Sequence, residues 1–167
     1  MNHRLEGTHS ARYPRLIVSL STIKYNTAAL TSLCRDRGIR VTGVVKGIGA
    51  QIPVAAAMVR GGCTTLATSR LEHLLSLRQA STDPGSGIPA DIELGMLRVP
   101  SPTEIADVVA LADWSLQSDP TALELTARAV RVHTTSGTVL PGKNNRHGVV
   151  LIVDLGDLRA GSDGYGG

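Results

Sequence analysis

Short aliphatic runs alternate along the chain with stretches whose apolar positions recur at helical spacing. The first run, Leu16 to Leu20, predicts a strand. A helix is expected from about Thr22, with Ile23, Leu30, Leu33 and Cys34 near helical spacing, stopping at Gly38. Arg40 to Lys46 reads as a second strand, and Pro53 opens a short apolar helix that ends at Gly61 and Gly62. Thr64 to Thr68 is a third strand. Ser69-Arg70-Leu71-Glu72 is a capping box ahead of the next helix. Past a Pro/Gly/Ser linker from Asp83 to Pro89 comes a strand at Ile92 to Val99, then a second capping box, Ser101-Pro102-Thr103-Glu104, opening another helix. Trp114 to Leu116 is a short strand. Asp119 and Pro120 cap a helix to about Val132, and after a polar stretch Val149 to Asp154 is the best strand in the sequence.

Strands joined by helices at this spacing predict an α/β fold, either a doubly wound parallel sheet or a (β/α)-barrel. A closed eight-stranded barrel takes about 250 residues, so a chain of 167 holds only part of one. The glycine-rich residues from Gly161 onward carry no pattern and read as an interrupted barrel. In a partial barrel the Val149–Val153 strand would be an apolar edge, which predicts aggregation or dimerisation of the chain. The organisation expected is a flexible amino terminus over residues 1–12, a barrel domain over 13–161 and an irregular terminus over 162–167.

Composition narrows the functional classes. Apolar residues are 42% and charged residues 19%, enough to bury a core and too little charge for a disordered tail. The longest aliphatic run is five residues, so no segment predicts a membrane span, and the first fifteen residues show no apolar leader. Cys34 and Cys63 have no ligand or disulfide spacing and fit a reducing cytoplasm. Seventeen basic residues against fourteen acidic give +3, but the bases are spread along the chain and aromatics are 2%. Neither the clustered phosphate footprint nor the stacking residues of a nucleic-acid binder are present.

Of the seventeen basic residues only Lys24, Lys46 and Lys143 are lysines. In parallel α/β folds, reactive groups lie just past the carboxyl ends of strands. Here those positions are Lys46, Thr68 with Ser69, Arg98, Ser118, and Asp154 with Arg159. Lys46 ends a strand expected to be buried and precedes glycine, and a desolvated lysine turns readily into a neutral nucleophile. The same position also suits a lysine that merely carries its amine out to solvent. Other motifs fail. The lysine precedes Gly47 and Gly49, the reverse of a phosphate loop, and a third dinucleotide-loop glycine is missing. His133 and His147 stand fourteen residues apart without a ligand partner and read as surface or loop histidines; no metal site is expected.

The segments YPRLIVSLSTIKYN (13–26), VTGVVKG (41–47), ATSRLEHLLSLR (67–78), MLRVPSPTEI (96–105) and VVLIVDLGDLRAG (149–161) occur in an order that resembles the alanine racemase family. These are fold-type III pyridoxal-phosphate enzymes. Leu97-Arg98-Val99-Pro100 and Asp154-Leu155-Gly156-Asp157-Leu158-Arg159 look most like the ornithine racemase branch. The resemblance implies an alanine racemase N-terminal barrel, incomplete in this chain, and the cofactor pyridoxal 5'-phosphate. It also implies an amino-acid racemase working by a lysine aldimine and two-base proton transfer at Cα. Lys46 matches the lysine that holds the cofactor and moves one proton, and Arg159 the arginine near the cofactor's phenolic oxygen and the substrate carboxylate. Asn26 matches a structural asparagine, and Arg98 fits the ornithine-type pattern as a cofactor-side residue. The substrate would be ornithine or a related amino acid, and the full-length protein a cytoplasmic homodimer. A non-catalytic pyridoxal-phosphate-binding protein and a type III aldolase or dehydratase are the alternatives. Three positions depart from the family pattern: Ala50 replaces an aromatic phosphate contact, Ile152 a carbamylated lysine, and Ser19 the commoner aspartate.

Overall fold

The computed structural model describes residues 16–136 and 146–152. Its elements run α1 (Leu20–Arg35), β1 (Thr42–Val44), α2 (Ile52–Arg60), β2 (Thr65–Thr68), α3 (Leu71–Ser81), β3 (Glu93–Met96), α4 (Ile105–Leu111), β4 (Trp114–Gln117), α5 (Pro120–Ser136) and β5 (Gly148–Leu151), with 3-10 turns at Lys46–Ile48 and Pro84–Ser86. All four ladders are parallel and the sheet order is β1-β2-β3-β4-β5. A doubly wound sheet would reverse its order part-way. An order that follows the chain is the wall of a barrel, with right-handed crossovers stacking the helices on one face.

The helix-covered face carries the core. Leu66, Leu94 and Met96 from the strands are fully buried against Ala55 and Ala56 of α2, Leu74 and Leu77 of α3, and Val108 of α4. On the opposite face, Arg40, Thr42, Thr65, Glu93, Trp114 and the start of β5 line an open cleft of about 390 Å³. There Glu93 accepts from Thr65 Oγ1 at 3.0 Å and pairs with Arg40 at 3.1 Å. The Trp114 ring lies over Gly95, where an added Cβ would collide with it.

The strand expected at Leu16 to Leu20 is absent. Among the described residues, 16–19 have no strand partner, Leu16 and Ile17 are 85% and 89% exposed, and Leu20 is already helical. The Ser19 hydroxyl accepts from the Thr22 N–H, so the end of the run caps α1 instead of pairing. The apolar face expected on α1 is also largely unburied: Leu30 and Leu33 are more than half exposed. The helix packs on α2 through Thr27 and Thr31, close enough that a Cβ on Gly61 would stand 2.5 Å from Thr27 Cβ.

Asp119 caps α5 as expected, accepting from Thr121 and Ala122 N–H. The first capping box does not form. α3 starts a residue later, with Arg70 at the cap position, and Glu72 pairs with the Arg70 side chain instead of reaching back to Ser69.

At the amino-terminal end of the strands an ion pair is sealed inside. Arg78 and Asp113 side chains are 3% and 7% exposed and meet at 2.8 Å. Arg78 also donates to the Leu111 carbonyl through Nε and Nη2 at 3.1 and 2.8 Å, and Asp113 Oδ2 accepts from the Leu94 N–H. His147 is half-buried and not the loose loop residue expected. Its Nδ1 lies 3.0 Å from the Ala112 carbonyl and its Nε2 2.9 Å from the buried Ser115 hydroxyl, tying the start of β5 to β4. No helix among the described residues is long and apolar enough to cross a membrane.

Candidate functional site

The strand register decides which residues meet at the carboxyl edge of the sheet. Val44 lies opposite Ala67 and Thr68 opposite Met96. Lys46 stands two residues past Val44 and Ser69 two past Ala67, each beyond the end of its strand, and Arg98 follows just past β3. Ser118 is the first residue past β4 and is exposed. Four of the expected positions therefore form a row along one edge. Asp154 and Arg159 lie outside the described residues.

The loop after β1 sets the attitude of Lys46. The strand stops at Val44, and the fully buried Val45 accepts through its carbonyl from the Ile48 and Ala50 N–H groups at 3.4 and 3.1 Å. The turn closes with Gly49 and Ala50 left-handed, at φ +63° and +53°. For the buried Ala50 that conformation costs about 1 kcal/mol. The tight turn lifts Lys46 off the sheet, so its side chain is exposed, not desolvated as its place after Val44-Val45 suggested. Among the described residues it has no hydrogen-bond or ion-pair partner, and Cβ atoms on Gly47 or Gly49 would meet nothing within 4 Å. Among the described residues the amine is therefore unpaired, and the backbone at Gly47 and Gly49 borders open space.

Arg98 is committed. Its Nη2 and Nη1 grip Glu104 Oε1 and Oε2 at 2.6 and 2.9 Å, and its Nε donates to the Ser69 carbonyl at 2.7 Å. Glu104 also accepts from the Ser101 N–H and hydroxyl at 3.1 and 2.8 Å, but 102–104 form a turn and α4 starts only at Ile105 with Glu104 at its cap position, so the second capping box does not open the helix where expected. The hydrogen bonds from Arg98, then those from Ser101, pull the Glu104 carboxyl down to about 2.

Two residues at this edge escaped the sequence reading. Glu104 was visible only as a capping residue, although its place six residues past Arg98 is within reach across the turn. His73 was not visible at all: its Nδ1 lies 3.0 Å from the hydroxyl of the fully buried Thr68, a contact made only because α3 folds back on β2.

An aldehyde cofactor needs a free amine with space beside it. Lys46 meets that requirement, so the residues present fit the covalent end of a pyridoxal phosphate; the described residues leave its ring and phosphate unassigned.

Residues 18–164 match the family described as "Alanine racemase, N-terminal domain". An ornithine racemase from Acetoanaerobium sticklandii is 27% identical over 149 residues, covering 89% of this chain and 36% of that protein. An alanine racemase from Frankia casuarinae is 30% identical over 131 residues, covering 74% and 32%. The chain thus spans about a third of the length of these curated relatives. Among solved structures, an alanine racemase from Streptomyces coelicolor A3(2) aligns with a TM-score of 0.58 and 24% identity over 75% of this chain and 34% of that one, a likeness of fold.

Proposed function

Since the chain belongs to the alanine racemase N-terminal domain family, we propose that it is the cofactor-anchoring part of a pyridoxal-phosphate-dependent amino-acid racemase acting on ornithine or a related amino acid. The single observation that carries this reading is the Lys46 amine, unpaired among the described residues and following a strand where Gly47 and Gly49 border open space, in a family of such racemases. The likeness to an ornithine racemase supports the substrate class.

Bound pyridoxal phosphate would supply an electron sink that acidifies the Cα–H of an amino acid joined to it. Lys46 would hold the cofactor's aldehyde carbon and, when released, move a proton at Cα from its own side of the site. Arg159 would orient the substrate carboxylate with its planar fork. Arg98 would shape the cofactor side of the edge through its pair with Glu104. The free thiols of Cys34 and Cys63 support a cytoplasmic setting, and the full-length protein would be a homodimer.

The test is to mix the chain with pyridoxal phosphate, reduce with borohydride, digest, and find which lysine carries the label. Label concentrated on Lys46 is expected, and label spread over Lys24 and Lys143 sinks the reading. Exchange of the Cα proton of ornithine in deuterated water separates a racemase from a protein that only holds the cofactor. The 167-residue chain alone is expected to show no turnover.

A further inference from the structure

Three groups at the carboxyl edge lie in adjacent rows: Lys46 past β1, Ser69 past β2 and Arg98 past β3. Only the last two are joined, by the 2.7 Å bond from Arg98 Nε to the Ser69 carbonyl. That bond needs the guanidinium held in one plane, and Arg98 is 37% exposed on a flexible stem. Glu104 supplies the constraint. Its two oxygens take one N–H from each terminal nitrogen, a fork-on-fork geometry that leaves the guanidinium no free rotation. Glu104 is itself held by the Ser101 N–H and hydroxyl, so its carboxylate is fixed before it meets the arginine.

We infer that Glu104 is a positioning residue for the Lys46 edge: by gripping Arg98 it fixes the Ser69 peptide, and with it the turn that leaves β2, the strand paired with the β1 strand that Lys46 follows. This deepens the function proposed above and rests on it for the role of Lys46. With its charge balanced by Glu104 and its Nε committed to a carbonyl, Arg98 works as a strut between two loops and offers a bound anion little. Position 69 is a fitting anchor because the first turn of α3 has no side-chain cap at Arg70. The Arg70 carbonyl accepts from the Leu74 N–H at 3.2 Å and the Thr68 hydroxyl meets His73, so the Arg98 bond adds a third tie at the one carbonyl between them.

The test compares the unaltered full chain with Glu104→Gln and with the charge-reversed pair Arg98→Glu/Glu104→Arg. The first readout is backbone amide exchange without cofactor. Exchange at Leu74 and Leu97, whose N–H groups donate to the Arg70 and Thr68 carbonyls on either side of Ser69, is expected to quicken at least tenfold in Glu104→Gln while α5 and β4 keep their rates; equal rates at Leu74 and Leu97 overturn the proposal. The second readout is the share of borohydride-trapped pyridoxyl carried by Lys46, using pyridoxal phosphate as the probe. A fall of threefold or more is expected in Glu104→Gln. The charge-reversed pair restores the ion pair but not the Ser69 bond, so it is expected to stay as loose and as poorly labelled as Glu104→Gln. Full recovery by that pair would overturn the proposal. If the unaltered chain shows no preference for Lys46, the racemase reading fails by itself, and the exchange rates decide whether Glu104 holds the turn.

Discussion

The two ends of this sheet each carry an arginine gripped by a carboxylate, and the two pairs do different work. At the amino-terminal end Arg78 and Asp113 are 3% and 7% exposed, and each satisfies backbone groups of neighbouring elements as well as the other. At the carboxyl end Arg98 and Glu104 are 37% and 28% exposed and fasten one loop to another. A buried pair leaves a stranded charge when one partner goes, whereas water takes over when a surface pair is broken. The buried pair therefore holds the fold, and the exposed pair can serve chemistry without holding the fold.

The largest effect is expected where the buried pair is broken. Asp113→Ala strands the Arg78 guanidinium and frees the Leu94 N–H, and should lower unfolding free energy by about 3–5 kcal/mol in a urea titration. A loss below 1 kcal/mol would mean that water reaches this pair and that the contrast between the ends is false. Next is Gly95→Ala, whose new methyl meets the Trp114 ring. Overpacking of this kind costs about 1–3 kcal/mol. Trp114 is the one tryptophan in the sequence, so its emission should shift to the red as the ring is pushed toward solvent.

The exposed pair should respond far less. Breaking the Arg98–Glu104 pair by Glu104→Gln is expected to cost about 1 kcal/mol or less. Acid sharpens the point. The Glu104 carboxyl is lowered in the folded state, to about 2 from an ordinary 4.5, so the native protein releases this proton more readily than the unfolded chain. Its contribution is present above about pH 4.5 and fades as pH falls toward 2. The Glu104→Gln variant should therefore lose part of the acid sensitivity of the parent between those values, measured by circular dichroism. The smallest stability change belongs to Lys46→Ala, within about 0.5 kcal/mol because the side chain is exposed. The same variant should lose the selective pyridoxyl label, and a large loss of stability there would make Lys46 a structural residue.

The alternation of elements was legible in the sequence because each strand is short, aliphatic and followed by a helix with its own stop signal. Pro53, Gly61 and Asp119 marked boundaries that the structure keeps to within a residue or two. Leu16 to Leu20 misled because an aliphatic run is a strand only if a neighbour pairs with it, and Ser19 captured its end for α1. The edge position of Lys46 was readable from the end of its strand, but the choice between a desolvated and an exposed amine was not, since that depends on a left-handed turn completed by Ala50, a residue type that gives no such signal. Arg78 with Asp113, and Thr68 with His73, were invisible for a simpler reason: tertiary folding chose the partners, and no spacing announces it.

Because the strands lie in the sheet in the order in which they are synthesised, every ladder joins segments near each other in the chain. Thr42 pairs with Thr65, Leu66 with Leu94, Gly95 with Trp114 and Trp114 with Gly148, separations of 23, 28, 19 and 34 residues. Each strand and its helix can settle on a finished predecessor, with short loop closures and no wait for a distant segment. Growth by accretion of this kind lets a nascent chain leave the ribosome with its earlier ladders already made.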